Sequence, residues 1–395
     1  MTEQFDQIYD RRGYNCIKWS RNPYDHPDFI PMGIADMDIA TPDFVIDGIR
    51  KRLDHPMLGY FRPDERFFQA ILGWQKEQYG TADLSREDVA VQTSVLGGVA
   101  SAVRALTEPG DGVLVQAPGY FNFAQVINGL GRRLVTTRLV WDGEMYRVDL
   151  EQMERQAVEN HVKAFLLCSP HNPTGRVWSR EELEAMAGIC RRHGIPVIAD
   201  EIWADLVFDK AHIPFHSVSE WAAHNTISLY APTKTFNMAG ITIAYSVVKN
   251  PELRERFERE CQSSHYNLPN LLSAEALTAA YESGAEWKKE LCAYLKNNTE
   301  LAAEFFHQNY PGVIVPAPQG TYLLWLDFRP MGLGSDELLE RFGKSGLYFN
   351  DGRTCIDYGD GCLRMNAAMP RPRLLEVFRR IGEVLRSAPS ALNIS

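Results

Sequence analysis

From about residue 42 the chain alternates segments whose apolar residues recur every three or four positions with short, continuous apolar runs. The segments PDFVIDGIRKRL (42–53) and DERFFQAILGWQKEQY (64–79) carry the period of amphipathic helices. The runs GVLVQAP, AFLLCSP, PVIAD, TISLYAP and TIAYSVV read as strands, and the stretches 97–107, 120–130 and 179–193 between several of them read as helices. Helices alternating with wholly apolar strands imply an α/β fold, in which a mostly parallel sheet is covered on both faces. After residue 250 the pattern stays helical through ELRERFEREC, LLSAEALTAAYES and EWKKELCAYLKNNTELAAEFFHQ, returns to a strand at TYLLWLDF, and closes on a helix at LLEVFRRIGEVL. That change predicts a second, smaller α+β domain. The expected division is 46–284 for the large domain, with 1–45 and 285–395 forming the small one.

Composition narrows the partners more than the fold. Of 395 residues, 45% are hydrophobic and 23% charged, ordinary globular usage with enough apolar side chains for a large core. A formal net charge of -10 argues against nucleic acid or an anionic membrane, which need a clustered basic face, and favours small-molecule substrates. The polar start MTEQFDQIYDRRGYN lacks a signal-peptide core and no later run reaches about 18 apolar residues, so a cytoplasmic protein is expected. Seven scattered cysteines, none at CxxC spacing, indicate neither a disulfide framework nor a zinc site, and Cys168, inside an apolar run, reads as packing.

Ligands of open α/β sheets bind beyond the carboxyl ends of the strands, where this chain carries APGY, SPHNPTG, ADEIW and YAPTK. Lys234 follows a strand end; in a partly dry cleft its amine has a readily shifted pKa and acts as a nucleophile toward a carbonyl, whereas alone it would be a solvated surface lysine. Asp200 ends PVIAD, where a buried carboxylate needs a cation such as a protonated ring nitrogen; the alternative is an Asp capping a helix through EIWADL. Asn172, held between prolines, has an amide able to donate to a phenolate-like oxygen, in a segment that is otherwise simply a turn. Tyr120 either lies against a planar heterocycle or lines the core. The fork of Arg364 suits an α-carboxylate or, equally, a structural salt bridge. The helix start at Val95 and Leu96, with the Thr233 hydroxyl, would receive a phosphate.

Taken together, Tyr120, HNPTG (171–175), ADEIWADL (199–206), PTKTFNMAG (232–240) and LRMNAAMP (363–370) resemble the fold-type I pyridoxal-phosphate (PLP) enzymes in order and separation. RRGYNCIKW, GIADMDIATP and LGYFRPDE narrow the resemblance to the C-S lyases of the MalY/PatB, or cystathionine β-lyase/cystalysin, type within the aminotransferase class I/II superfamily. It spans essentially the whole chain. The resemblance implies a seven-stranded-type sheet in the large domain, PLP as cofactor, and Lys234 as the lysine that carries it. It implies further that Asp200 pairs with the ring nitrogen, Asn172 donates to the ring oxygen, Tyr120 stacks on the ring, Arg364 clamps the substrate carboxylate near Ala35, and Tyr60 reaches the phosphate of a neighbouring subunit in a homodimer.

Two positions depart from related enzymes. Trp203 stands where they carry Tyr or His near the ring oxygen, and either narrows the pocket or faces away. Thr242, eight residues after Lys234, stands where many aminotransferases place a phosphate-binding Arg, which favours the lyase branch. The activity implied is β-elimination from an S-substituted L-cysteine, giving thiol, pyruvate and ammonia. An aminotransferase is the alternative, and a regulatory binding protein with vestigial catalysis a third reading.

Overall fold

Strands that are apolar at every position have no face to turn to water, so they must be covered on both sides. The computed structural model, which describes residues 3–357 and 359–386, meets this with an eight-stranded sheet. Its spatial order is Val89–Gln92, Ala244–Val247, Thr226–Tyr230, Val197–Asp200, Val162–Cys168, Gly112–Ala117, Arg133–Trp141 and Tyr146–Val148. The five strands from Thr226–Tyr230 to Arg133–Trp141 pair in parallel. Ala244–Val247 runs antiparallel to both neighbours, and Tyr146–Val148 folds back on Arg133–Trp141 as a hairpin. That hairpin strand makes the sheet one strand wider than the seven expected. It escapes an apolar-run criterion because RLVTTRLVW alternates buried and more exposed positions at the sheet edge.

The helices read from periodicity are present at Asp43–Leu53, Glu65–Tyr79, Val95–Leu106, Phe121–Gly129 and Arg180–His193. Their ends are set locally. Ser179 Oγ accepts from Glu182 N at 3.2 Å while Glu182 returns a carboxylate to Ser179 N at 2.9 Å, a reciprocal cap, and Gly194 closes the helix at φ 64°. One face of the sheet packs Val113, Val115, Ile227 and Leu229 beneath Val99 and Val103. The opposite face packs Leu114, Phe165 and Leu167 beneath Leu183, Met186 and Ile189.

The C-terminal third builds a separate sheet of three strands, with Cys362–Asn366 between Leu323–Asp327 and Asn350–Asp351. It has its own apolar cluster, including Phe306, Leu326, Phe342, Leu363, Val377 and Ile381. Near the amino terminus, Ile30–Pro31 pairs in parallel with Leu347–Tyr348. Among the described residues no helix is long and apolar enough to cross a membrane.

The amino-terminal arm is fastened by a buried ion cluster. Asp38 Oδ2 accepts from Lys18 Nζ at 3.0 Å, and Oδ1 accepts from Trp19 Nε1 at 2.8 Å and Arg11 Nη1 at 2.9 Å. Lys18 Nζ also donates to Asp36 O at 2.7 Å. Burial would raise the Asp38 pKa, but Lys18, Trp19 and Arg11 together hold it below the usual carboxylate range. Removing one member leaves the others charged in a dry place. Asp38→Ala is therefore expected to cost about 3–5 kcal/mol, read as a lowered urea midpoint; an unchanged midpoint would show that the cluster is not stabilising.

Candidate active site

The parallel register sets strand tips side by side. Asp200 is opposite Cys168 on one neighbour and Leu229 on the other, so the segments after Cys168, Asp200 and Tyr230 leave the sheet at one edge. Asp200 is buried, and residues 202–205 form a turn with no helix following, so it does not cap a helix there. Its Oδ1 accepts from Ile202 N at 3.2 Å, and Oδ2 receives no hydrogen bond from the described residues. Burial, against that bond and the nearby Lys234, pushes its pKa up to about 7.

Lys234 lies four residues past the neighbouring strand. Its Nζ donates to Ala35 O at 2.7 Å and sits 5.5 Å from the Trp203 ring centroid. Burial, with help from the Arg364 charge, lowers its pKa to about 8, which Asp36 and Asp200 only partly oppose. At pH 7 about a tenth of an amine at that value is unprotonated, far more than of an ordinary lysine, and that fraction is the form a nucleophile or base needs. Two anchors that the sequence reading did not single out hold its loop. Thr235 Oγ1 donates to the buried Asp205 at 2.7 Å, and Asp205 also accepts from Trp74 Nε1 at 3.0 Å and Tyr79 OH at 2.6 Å. Asn237, at φ 51°, bonds Met37 N at 3.2 Å and Met37 O at 3.0 Å, tying the loop to the strip beside Ala35. Asp205 offered a signal, being a second acid inside the apolar run IWADLVF; Asn237 offered none.

In HNPTG the Gly175 N–H closes on His171 O at 2.8 Å with φ 69°, where a Cβ would sit 3.1 Å from Gly320 O, so only glycine fits this turn. The turn presents Asn172, whose Oδ1 accepts from Arg364 Nη1 at 3.0 Å, leaving Nδ2 as the donor offered to the cavity. Arg364 is buried at mid-strand in the smaller sheet, opposite Trp325 and Asn350. Its Nη2 donates to Gly33 O at 2.8 Å and its Nε has no partner. With no carboxylate partner among the described residues, it is not a structural salt bridge.

These side chains share one cavity of about 510 Å3, a size suited to a small molecule. Lys234, Asp200, Asn172 and Arg364 line it, as do Ala35, Val95, Leu96 and Thr233. Ser94 caps the helix Val95–Leu106 by accepting from Gly97 N at 3.1 Å, and the Val95 and Leu96 N–H groups take no acceptor from the described residues. Tyr120 and Trp203 supply aromatic walls. Tyr120 packs edge-on to Phe123 at 5.4 Å and accepts from Asn122 Nδ2 at 2.6 Å. Trp203 is buried edge-on to Tyr322 at 4.8 Å, so it narrows the cavity instead of facing away. Cys168 is buried, as expected of packing, and also forms part of the cavity wall. Thr242 lines it too. Tyr60 does not: it is fully exposed on the segment before Glu65–Tyr79.

The set fits PLP. Asp200 is a buried carboxylate with an oxygen free for a cationic N–H, Asn172 Nδ2 suits a ring oxygen, and the first-turn amides suit a phosphate. Lys234 is the one amine among the described residues that line the cavity. Its reactivity gives a direct check: in the apoprotein, acylation of the Lys234 peptide followed by mass spectrometry is expected to rise with pH to a midpoint near 8. A midpoint above about 10, that of an ordinary lysine, would contradict the assigned environment.

Comparison with known proteins agrees with this geometry. A family model described as aminotransferase class I and II matches residues 27–381. Cystathionine beta-lyase PatB of Bacillus subtilis (strain 168) is 34% identical over 385 residues, covering 96% of this chain and 99% of PatB. Protein MalY of Escherichia coli (strain K12) is 33% identical over 378 residues, covering 94% of this chain and 95% of MalY. The crystal structure of cystalysin from Treponema denticola, which contains pyridoxal 5'-phosphate, superposes with a TM-score of 0.92 at 31% identity, covering 97% of this chain and 98% of cystalysin.

Proposed function

Starting from a chain that belongs to the aminotransferase class I and II family and is a PLP-dependent enzyme, we propose that it catalyses β-elimination from S-substituted L-cysteines. Water is consumed, the C–S bond at Cβ breaks, and a thiol, pyruvate and ammonia are released. The observation that carries the reading is the presence of Lys234, an amine with a lowered pKa, and Arg364, a buried guanidinium with no carboxylate partner among the described residues, on the same cavity. PatB, a relative matched over nearly its whole length and named as a cystathionine beta-lyase, supports it over amino transfer.

When bound, PLP supplies an electron sink for the pair left at Cα. The residues do the rest. Arg364 binds the substrate α-carboxylate through a planar fork already fixed by Asn172 and Gly33, so little orientation is lost on binding. Lys234 Nζ, once free of the cofactor, takes the Cα proton as general base and holds it near the departing sulfur. Asp200 stays ionised against the ring nitrogen and keeps that nitrogen protonated. Trp203 and Tyr120 form apolar walls that exclude water from the proton transfer.

The same proposal places the enzyme in a homodimer with Tyr60 reaching the neighbouring site. Met57, Leu58 and Tyr60 are 71%, 59% and 113% exposed on one irregular segment, more apolar surface than a solvated loop ordinarily presents. A cytoplasmic site of action fits seven free cysteines.

Two measurements test these points. Purified enzyme given S-ethyl-L-cysteine without any oxo acid is expected to release ethanethiol and pyruvate, with Asp200→Asn slowing this about 10- to 150-fold, the equivalent of about 1.5–3 kcal/mol for a charge-assisted bond. Turnover that requires an oxo acid acceptor would make it an aminotransferase. Mixing inactive Tyr60→Ala and Lys234→Ala chains should restore activity, because one site of the mixed dimer then has both residues; no restoration would remove Tyr60 from the partner's site.

A further inference from the structure

The cavity holds one cation that the chemistry above does not use. Arg21, an exposed residue, is among those that line it, as are Gly33, Ile34 and Asn350. Among the described residues it makes no hydrogen bond, ion pair or ring contact. Lys234 and Arg364 are committed to Ala35 and to Asn172 and Gly33. Asp200 is the only carboxylate among the described lining residues, against the three cations Lys234, Arg364 and Arg21, so the lining carries an excess of positive charge.

Arg21 is also held in place from both sides. Two and three residues before it, Trp19 and Lys18 are bonded to the buried Asp38 at 2.8 and 3.0 Å. The next residue, Asn22, exchanges bonds with His26, Nδ2 to O at 2.9 Å and N to Oδ1 at 3.1 Å. A backbone fixed on either side of a free guanidinium is a preorganised anion receptor, because binding need order only the side chain. The phosphate donors Val95, Leu96 and Thr233 come from other elements and already provide for the cofactor's own anion.

We propose that Arg21 is the specificity-determining residue of this site, binding a carboxylate carried by the group on sulfur, so that the preferred substrates are S-substituted cysteines bearing a second, distal carboxylate. This rests on the C–S lyase reading. Arg364 takes the α-carboxylate at the closed end and Arg21 takes the distal one at the open end. Asn350, the residue opposite Arg364 in the small sheet, lines the same cavity as both arginines.

The test uses acid and amide pairs of equal shape. 3,3′-Thiodipropionate has two carboxylates and no amine, so it binds without reacting. By calorimetry on the holoenzyme it is expected to bind about tenfold more tightly than its monoamide, the range of an accessible charge-assisted contact. Arg21→Ala should erase that preference and Arg21→Lys keep most of it. In turnover, Arg21→Ala should lower kcat/KM for S-(2-carboxyethyl)-L-cysteine about tenfold, chiefly through KM, and leave its carboxamide analogue nearly unchanged. Equal losses for acid and amide, no loss for either, or a fall in PLP content on purification would each overturn the proposal. Cleavage of the amide by the wild-type enzyme reports on the lyase reading separately, so the two claims fail independently.

Discussion

A carboxylate at the tip of a strand buried in the middle of a parallel sheet cannot remain both ionised and alone. Asp200 occupies that position, and its pKa, pushed to about 7, measures how poorly the fold alone satisfies it. Satisfaction comes from a cation delivered beyond the sheet edge. The rest of the site follows from where that edge lies: the strand on one side leads to Lys234, and the strand on the other leads to Asn172. The large sheet is therefore a bracket whose edge is short of one positive charge, which in the proposed function the protonated ring nitrogen of PLP would supply.

The second constraint is the hydrogen bond between Arg364 and Asn172, which joins the two sheets. It fixes the Asn172 amide so that its donor serves the cavity, and it holds the Arg364 fork open for a carboxylate. In the proposed roles, substrate recognition and cofactor recognition would share an atom pair, and neither residue can be repositioned without disturbing the other. Asp205 and Asn237 do the corresponding work for the lysine loop.

Much of this was visible in the primary structure because buried parallel strands are written as continuous apolar runs, and a charged residue at the end of such a run is conspicuous. Asp200 is conspicuous in that way, whereas Lys234, four residues past its strand, stands out only through the residues that accompany it. The hairpin 133–148 was not, because an edge strand with one solvated face looks like any alternating segment. Tyr60 gives no local sign either; its isolation from its own cavity becomes meaningful only when a second chain is considered. Asp205 meets Trp74 across 131 residues and Asn237 meets Met37 across 200, separations at which a single sequence carries no pairing signal. Arg21 is plain in isolation, a charged residue after a four-residue helix, and acquires its character from Gly33, Asn350 and Arg364.

The clasp at Asp38 has a consequence for how such an enzyme can be changed. Within the amino-terminal arm, which contributes no strand to the large sheet and is anchored by Phe5 against Trp287 and Tyr294 and by Ile30–Pro31 against Leu347–Tyr348, the stretch that leads to Arg21 is fixed through polar bonds to the strip 36–38. It behaves as a cassette on a fixed mount. A strap of different composition that keeps Lys18 and Trp19 would present a new lip to incoming molecules while the reacting atoms stay where the sheet puts them. Diversification of such a fold can therefore proceed at its margin, through a stretch of chain short enough to be exchanged in one step.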